Sequence, residues 1–266
     1  MKERILSLVS PEYPWKNQFY WAEETGSTND DLKALARKGA PHGTVLIADR
    51  QNGGHGRMGR SFHSPGGVGI YFSILLQPNC APGELMHLTC ATAVAMCEAI
   101  EQAVGFRPGI KWTNDLVCGK RKLGGILTEL GLSPKGGVDY AIIGIGINCC
   151  QRPEDFPEEI RNIAASLSMV TEQEIDRAKV AAAMMDVLYR MDQNLLTGKT
   201  AMLDAYRRDC ITIGQDISLL RVGEEVRHGK AIGMDDDGAL IVEFKGGHTE
   251  IVNSGEVSVR GMYGYL

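Results

Sequence analysis

Apolar residues recur at helical spacing in several parts of the chain. Residues 84–104 and 172–196 follow this spacing, which predicts two long helices. A shorter helix is predicted near 202–209. Another is predicted over 30–38, where Ser27 or Thr28 can cap the first turn. The stretch from 149 to 170 is rich in proline and acidic residues, and we predict a loop there.

Short apolar runs separated by turn residues predict strands between these helices. The run over 138–147 is almost continuously apolar, which is typical of a buried, central strand. The other predicted strands of this part of the chain are 19–23, 44–49, 68–76, a short strand reaching 111–112, and 124–130.

The pattern changes beyond residue 213. Apolar runs at 217–220, 239–244 and 250–252 alternate with turns. This alternation predicts a small all-β barrel of about 50 residues. The sequence therefore predicts an α+β fold with two domains. A mixed sheet with helices spans 1–212, and a C-terminal β module spans 213–266.

Composition narrows the class of protein. The chain has 266 residues, of which 44% are hydrophobic and 23% charged, as in ordinary globular enzymes. Its net charge of -5 argues against extensive nucleic-acid binding. No apolar stretch is long enough for a signal peptide or a membrane helix. The seven cysteines lack metal-ligand spacing, so we expect free thiols in a reducing cytoplasm and no zinc site.

One glycine-rich, basic loop is the strongest local signal for chemistry. No Asp or Glu occurs from Gln51 to Gly83, although the chain has 33 acidic residues. This window contains His55, Arg57 and Arg60, and seven glycines lie between 53 and 69. Glycine lets a backbone close on a ligand, and arginine suits phosphate and carboxylate. The pattern favours a loop that binds an anion over a solvated hairpin tip.

Two common nucleotide-binding motifs do not explain this loop. Gly54-x-Gly56-x-x-Gly59 formally matches the dinucleotide-binding fingerprint, which must open a helix. Residues 60–67 contain Ser64-Pro65-Gly66-Gly67 and cannot begin a packed helix. A Walker loop requires Gly-Lys followed by Ser or Thr, which the loop lacks.

A second basic cluster follows the predicted strand that ends at 111–112. Five cations and one acid, Asp115, lie between Arg107 and Leu123. Most of these residues are also typical of solvated turns. Lys122 differs because it immediately precedes a strand, so its side chain can point to a ligand on the sheet.

Five motifs occur in an order that resembles the biotin protein ligase family, over roughly residues 20 to 150. They are Ser27-Thr28-Asn29, Gln51 with Gly54-x-Gly56-Arg57-x-Gly59-Arg60, Lys111-Trp112-x-Asn114-Asp115, Arg121-Lys122-Leu123, and Gly144-x-Gly146-Ile147-Asn148. The resemblance implies a catalytic domain like those of class II aminoacyl-tRNA synthetases and biotin ligases. It also implies that the C-terminal module is an SH3-like β-barrel.

The family resemblance implies an activity. Such enzymes make biotinyl-5′-AMP from biotin and ATP with Mg²⁺, and then transfer biotin to a lysine of a biotin carboxyl carrier protein. Lys122, Arg57 and Arg60 would be catalytic. The residues implied for biotin are Ser27, Thr28, Asn29, Gln51, His55, Gly56, Arg57 and Lys122. Those implied for the nucleotide are Arg60, Lys111, Trp112, Asn114, Asp115 and Asn148, with Asp115 also assigned to Mg²⁺.

The loop departs from the family pattern at two positions. His55 and Met58 stand where arginine is common, so the loop carries less permanent charge. How tightly the adenylate is held is left open by these changes. Thr113 replaces a usual proline in the neighbouring motif.

Other functions fit the residues less well. A lipoate or octanoate ligase or transferase has a similar fold but lacks the paired motifs. A cysteine acyltransferase using Cys149-Cys150 lacks a recognisable base. A noncatalytic biotin-binding module fits poorly with Lys111, Asp115 and Lys122. Only 26 residues precede Ser27, which predicts a form without a DNA-binding domain. Monomer and homodimer remain equally compatible with the sequence.

Overall fold

A seven-stranded sheet forms the centre of the larger part of the chain in a computed structural model. The structure describes residues 1–134, 136–220, 223–253 and, by their backbone, 258–261. The strands are β1 (Phe19–Thr25), β2 (Thr44–Gln51), β3 (Gly69–Leu76), β4 (Gly109–Lys111), β5 (Asp115–Cys118), β6 (Arg121–Leu132) and β7 (Val138–Asn148). Their order is β1-β2-β3-β7-β6-β5-β4, with β1 and β2 parallel and the other pairs antiparallel. The predicted central position of β7 is confirmed.

Six α-helices accompany this sheet within the described residues. They are α1 (Lys2–Leu8), α2 (Thr28–Arg37), α3 (Leu88–Val104), α4 (Leu167–Thr171), α5 (Arg177–Asn194) and α6 (Lys199–Asp209). Short 3₁₀ turns occur at Lys16–Gln18, Arg57–Gly59, Pro82–Leu85 and Pro153–Asp155. Among the described residues, none of the helices has the length and apolar composition of a membrane span.

The two faces of the sheet are covered unequally. Successive side chains of a strand point to opposite faces, so Ile143, Ile145 and Ile147 share one face of β7. They are buried in one core cluster with residues of α3 and α5. On the other face α2 packs on β2, β3 and β7, and Leu32 is buried against residues of those strands. Beyond α2, this second face carries Gly144 and Gly146 and leaves room for a cavity.

The C-terminal part forms a separate antiparallel sheet, as the sequence predicts. Its strands are β8 (Asp216–Leu220), β9 (Arg227–Met234), β10 (Leu240–Phe244), β11 (Thr249–Val252) and β12 (Ser258–Gly261). Their order is β11-β10-β9-β8-β12. The last predicted residues of this module, 262–266, lie outside the described residues. The boundary at 212–213 stays a prediction.

The turn between β9 and β10 attaches this module to the larger part. The Trp112 indole Nε1 donates to the Gly238 carbonyl at 2.9 Å. The Arg207 guanidinium of α6 donates to the Asp235 carbonyl at 3.1 Å and to the Asp236 carboxylate at 2.9 Å. The module therefore contacts Trp112, one of the predicted nucleotide-binding residues.

Several predicted elements have different bounds in the structure. The helix predicted over 172–196 begins at Arg177, because the Asp176 carboxylate accepts from the Ala178 backbone N–H at 3.0 Å and caps it. The helix predicted over 84–104 divides into a 3₁₀ turn and α3. The predicted loop at 149–170 contains α4, and the sequence analysis missed α1, β5, β9 and β12.

Candidate active site

A cavity of about 460 Å³ opens on the sheet face beside the N-terminus of α2. The basic loop, the start of α2 and strands β5, β6 and β7 surround it. All but one of the predicted site residues line this cavity: Ser27, Thr28, Asn29, Gln51, His55, Gly56, Arg57, Arg60, Lys111, Trp112, Asn114, Asp115 and Lys122. Residues from separate motifs thus meet in one place.

One end of the cavity is uncharged and polar. Ser27 is the N-cap of α2, and its hydroxyl accepts from the Asp30 backbone N–H at 3.5 Å. The Thr28 backbone N–H donates to the Gln51 side-chain oxygen at 2.9 Å. Asn29 follows in the first turn of α2 and also lines the cavity. This end offers hydroxyl and amide groups to a ligand.

The basic loop folds as a hairpin over the cavity. The Phe62 N–H donates to the Gly54 carbonyl at 2.8 Å, and the Gly56 N–H to the Arg60 carbonyl at 2.7 Å. At its tip Met58 and Gly59 both have left-handed φ angles, of 58° and 70°. Beyond the tip the chain forms one antiparallel bridge, between Ser61 and His55, and begins no helix before β3. This agrees with rejecting the dinucleotide fingerprint.

Asn114 fixes the position of Arg57. The Arg57 guanidinium donates to the Asn114 side-chain oxygen at 3.1 Å, and the Asn114 amide nitrogen donates to the Ile126 carbonyl at 2.9 Å. Burial lowers the pKa of Arg57, and the Asp115 carboxylate acts in the opposite direction. Both amide atoms of Asn114 are thus engaged by the protein, and they hold the loop cation against β6.

Lys122 is positioned through both its side chain and its backbone. Its Nζ donates to the Asp115 carboxylate at 2.6 Å and lies 6.0 Å from the centre of the Phe62 ring. The Lys122 backbone N–H donates to the Ile163 carbonyl at 2.7 Å, and its carbonyl accepts from the Ala165 N–H at 2.8 Å. The segment 163–165 therefore fixes the start of β6, and with it the lysine.

Asn148 is the predicted site residue that does not line the cavity. It is 5% exposed, and its amide nitrogen donates to the Ala165 carbonyl at 3.0 Å. Its side-chain oxygen accepts from the Gln151 amide at 3.2 Å. Both ends of its amide thus bond to the protein, and Asn148 holds the segment that positions Lys122. Its assignment to the ligand pocket stays a prediction.

Two glycines of β7 form part of the cavity floor. A Cβ at Gly146 would lie 2.5 Å from the Phe62 ring, and a Cβ at Gly144 would overlap the Asn29 amide. Phe62 and Asn29 can therefore approach the sheet only because these positions lack side chains. The sequence analysis placed both glycines in a motif but missed their role and that of Phe62. The signal was present, because glycines two apart in a strand lie on one face.

Charge divides the cavity into two regions. Arg57, Arg60, Lys111 and Lys122 line one side, and Asp115 is the one acidic residue among the described lining residues. Thr28, Asn29 and Gln51 line the uncharged end. Such a cavity can bind a neutral polar group at one end and neutralise two anionic groups at the other. This combination suits the joining of a carboxylate to a nucleotide phosphate.

Comparisons with known proteins identify the family. The model of the biotin/lipoate A/B protein ligase family matches residues 21–148, and that of the biotin protein ligase C-terminal domain matches 212–260. The chain is 37% identical over 229 residues to the bifunctional ligase/repressor BirA of Bacillus subtilis, a match that covers 86% of this chain and 70% of that protein. It is 30% identical over 264 residues to the biotin–[acetyl-CoA-carboxylase] ligase of Mycobacterium tuberculosis, covering 97% and 95% of the two chains.

A solved structure gives the same result. The biotin protein ligase from Aquifex aeolicus in complex with biotin and ATP superposes with a TM-score of 0.77 at 30% identity, covering 91% of this chain and 98% of that one. The chain belongs to the biotin protein ligase family. The predicted enzyme class and fold are confirmed, and the lipoate alternative is not favoured. The predicted absence of DNA binding stays a prediction.

Proposed function

We propose that this enzyme activates biotin with ATP and transfers it to a lysine of a carrier protein. In the first step the biotin carboxylate attacks the α-phosphate, an acyl–phosphate bond forms, and pyrophosphate leaves. In the second step the lysine amine attacks the acyl carbon, loses a proton and displaces AMP. The observation that supports this most is the cavity itself, which joins a neutral polar end to a cationic side.

The uncharged end suits the biotin head group. A cyclic urea has two N–H donors and one carbonyl acceptor, so it needs both kinds of partner within an apolar slot. Thr28, Asn29 and Gln51 supply such groups, and Ser27 lies beside them. Phe62 above the bare backbone of Gly146 provides an apolar wall. His55 and Gly56, on the loop, would close over the ligand.

The cationic side suits the two anions that react. Lys122 would take the biotin carboxylate and then the acyl-phosphate oxygen. In support, its ammonium already pairs with a carboxylate, that of Asp115. Arg57 and Arg60 come from the loop and would neutralise the phosphates. Because the mixed anhydride reacts with water, closure of the loop would also protect it. The chemistry needs no covalent enzyme intermediate.

The nucleotide would lie toward Lys111, Trp112 and Asn114. The described residues contain no group of three His, Cys, Asp or Glu side chains that could hold a metal alone. Mg²⁺ is usually held by one or two carboxylates together with substrate phosphates. The single Asp115 carboxylate fits such a site, where the ion would offset phosphate charge.

The acceptor would be the carrier protein or domain of a biotin-dependent carboxylase. A reducing cytoplasm suits the seven cysteines, because all of them are free thiols in the structure. The proposal requires neither DNA nor a membrane, and a monomer or a homodimer could carry it out.

Biotin-dependent exchange of pyrophosphate into ATP tests the first step, with lipoate and octanoate run in parallel. We expect exchange with biotin only. Lys122→Ala should reduce it by about a thousandfold, as removal of a charge-stabilising group does in other enzymes. Lys120→Ala is the matched control, because Lys120 lies exposed two positions away on the same hairpin. Exchange only with lipoate or octanoate, or near-normal exchange by Lys122→Ala, would refute the assignment.

A further inference from the structure

A chain of hydrogen bonds links the cavity to Glu129, a residue of β6 outside its lining. We propose that Glu129 is a positioning residue for recognition of the cyclic urea. It fixes the orientation of the Asn29 amide and, through Ser73, makes the Thr28 hydroxyl a hydrogen-bond acceptor toward the ligand. This role rests on the proposed binding of the biotin head group beside Thr28.

The series of hydrogen bonds begins at Glu129, a charged group that fixes the direction of each bond that follows. One Glu129 oxygen accepts from Lys33 Nζ at 2.6 Å, and the other accepts from the Asn29 amide nitrogen at 2.8 Å. An ionised carboxylate can only accept hydrogen bonds. The Asn29 nitrogen must therefore face Glu129, and the Asn29 oxygen must face the opposite side, where Ser73 lies.

Ser73 passes this polarity on to Thr28. Ser73 is fully buried, and its hydroxyl oxygen lies 2.6 Å from the Asn29 side-chain oxygen and 2.7 Å from the Thr28 hydroxyl oxygen. A serine hydroxyl has one proton. The amide oxygen of Asn29 can only accept, so the Ser73 hydroxyl donates its one hydrogen bond to that oxygen. The Ser73 oxygen is then free to accept the Thr28 proton.

Gln51 completes the arrangement. Its side-chain oxygen accepts from the Thr28 backbone N–H and lies 3.0 Å from the Thr28 hydroxyl, so it is a second acceptor for the Thr28 proton. The Gln51 nitrogen donates to the Ser64 hydroxyl at 3.2 Å. Whichever acceptor takes it, the Thr28 proton is turned toward the protein, and the hydroxyl oxygen can accept a hydrogen bond from the ligand. A ligand N–H, such as that of a cyclic urea, is the complementary partner.

Replacing Glu129 by glutamine should reverse the direction of the hydrogen bonds that run through Asn29 and Ser73 to Thr28. The Lys33 ammonium is a donor, so it would take the amide oxygen of the substituted side chain in a charge-assisted hydrogen bond. The amide nitrogen of that side chain would then face Asn29, and the Asn29 amide would turn its oxygen toward it. Ser73 would then accept a hydrogen bond from the Asn29 amide nitrogen and donate one to the Thr28 hydroxyl oxygen. Because Ser73 would occupy a lone pair of the Thr28 hydroxyl, that hydroxyl would accept less well from the ligand.

Lys33 supplies a test that loss of packing cannot mimic. In a Lys33→Met background, the amide oxygen introduced by Glu129→Gln is no longer held by the ammonium and can accept from Asn29. The hydrogen bonds of Asn29, Ser73 and Thr28 should then regain their wild-type directions. Lys33→Met therefore should rescue Glu129→Gln, although it also removes the ion pair between Lys33 and Asp30. On its own, Lys33→Met should have little effect, because Glu129 still accepts from Asn29.

The experiment measures biotin-dependent pyrophosphate exchange for the wild type, Glu129→Gln, Lys33→Met and the double variant. We expect Glu129→Gln to raise the KM for biotin about tenfold, as for one lost hydrogen bond, with the KM for ATP unchanged. Lys33→Met and the double variant should stay within about twofold of the wild type. Thermal unfolding checks that each variant is folded. Should Glu129→Gln fail to fold, Glu129→Ala replaces it. Without the Glu129 carboxylate, the Lys33 ammonium would attract the Asn29 side-chain oxygen, and the KM for biotin should rise in the same way.

Three results would overturn this role: a biotin KM that Glu129→Gln leaves unchanged, an equal rise in both KM values, or a double variant no better than Glu129→Gln. Each requires an active wild type and leaves the proposed function standing. A folded wild type without exchange would overturn the proposed function, and this role with it.

Discussion

Gly144→Ala tests whether the bare strand backbone under Asn29 is required. A Cβ at this position would lie 2.8 Å from the Asn29 Cγ and from its amide nitrogen, and closer still to its oxygen. These separations are far inside normal contact, so the side chain has to move. It cannot move freely, because its oxygen is held by Ser73 at 2.6 Å and its nitrogen by Glu129 at 2.8 Å.

The size of the effect follows from these two hydrogen bonds. Loss of a neutral buried bond costs about 1 kcal/mol, and a bond to a charged group about 1.5–3 kcal/mol. We therefore expect Gly144→Ala to lower the free energy of unfolding by roughly 3 kcal/mol. For a chain of this size that corresponds to a fall in Tm of about 6–12 °C. The KM for biotin should also rise, because the displaced Asn29 lines the cavity.

Thermal unfolding followed by circular dichroism measures the first effect, and pyrophosphate exchange the second. Gly83→Ala is the matched control, since Gly83 is exposed and no atom lies within 4 Å of its would-be Cβ. That variant should be neutral or slightly stabilised. If both variants have the same Tm and the same KM for biotin, the space at Gly144 has no role and the reasoning fails.

Two further predictions concern buried polar groups. Trp112→Phe removes the indole bond to the Gly238 carbonyl and should lower the free energy of unfolding in urea by about 1–3 kcal/mol. An unchanged midpoint, with Tyr20→Phe as an exposed control, would contradict it. Burial lowers the pKa of His87, whose Nε2 lies 2.8 Å from the Leu195 carbonyl. As pH falls, His87 is therefore protonated at a higher pH in the unfolded chain than in the folded one. The free energy of unfolding should decrease as pH drops below about 6.5. His87→Gln should flatten that part of the Tm–pH curve, and parallel curves for the two proteins would exclude the effect.

The sequence predicted elements best where a single pattern ran for many residues. The apolar run of β7 and the helical spacing of α3 were recognised, since burial of a long segment leaves a periodic trace. Strand β5 was missed because Asp115–Cys118 is short and begins with residues typical of turns. Helix α5 was placed five residues too early, because the Asp176 cap was not recognised as a start signal.

Some residues of the candidate site could be predicted from the sequence, and others could not. Residues within ordered motifs, such as Lys122 and Arg57, could be named from the sequence. Glu129 and Ser73 could not, because their roles arise only when Asn29 meets residues 100 and 44 positions away. Asn148 stood in a motif, yet its neighbours in the fold take both ends of its amide. Motif order therefore gave the residues around the cavity but not the bonds that orient them.

The bond between Trp112 and Gly238 has a consequence for the chain during synthesis. Strands β1 to β7 are complete by residue 148, so the sheet under the cavity can form while the C-terminal module is still being translated. Until position 238 leaves the ribosome, the Trp112 indole lacks its partner. The side of the cavity that Trp112 lines is thus the last to gain all of its contacts.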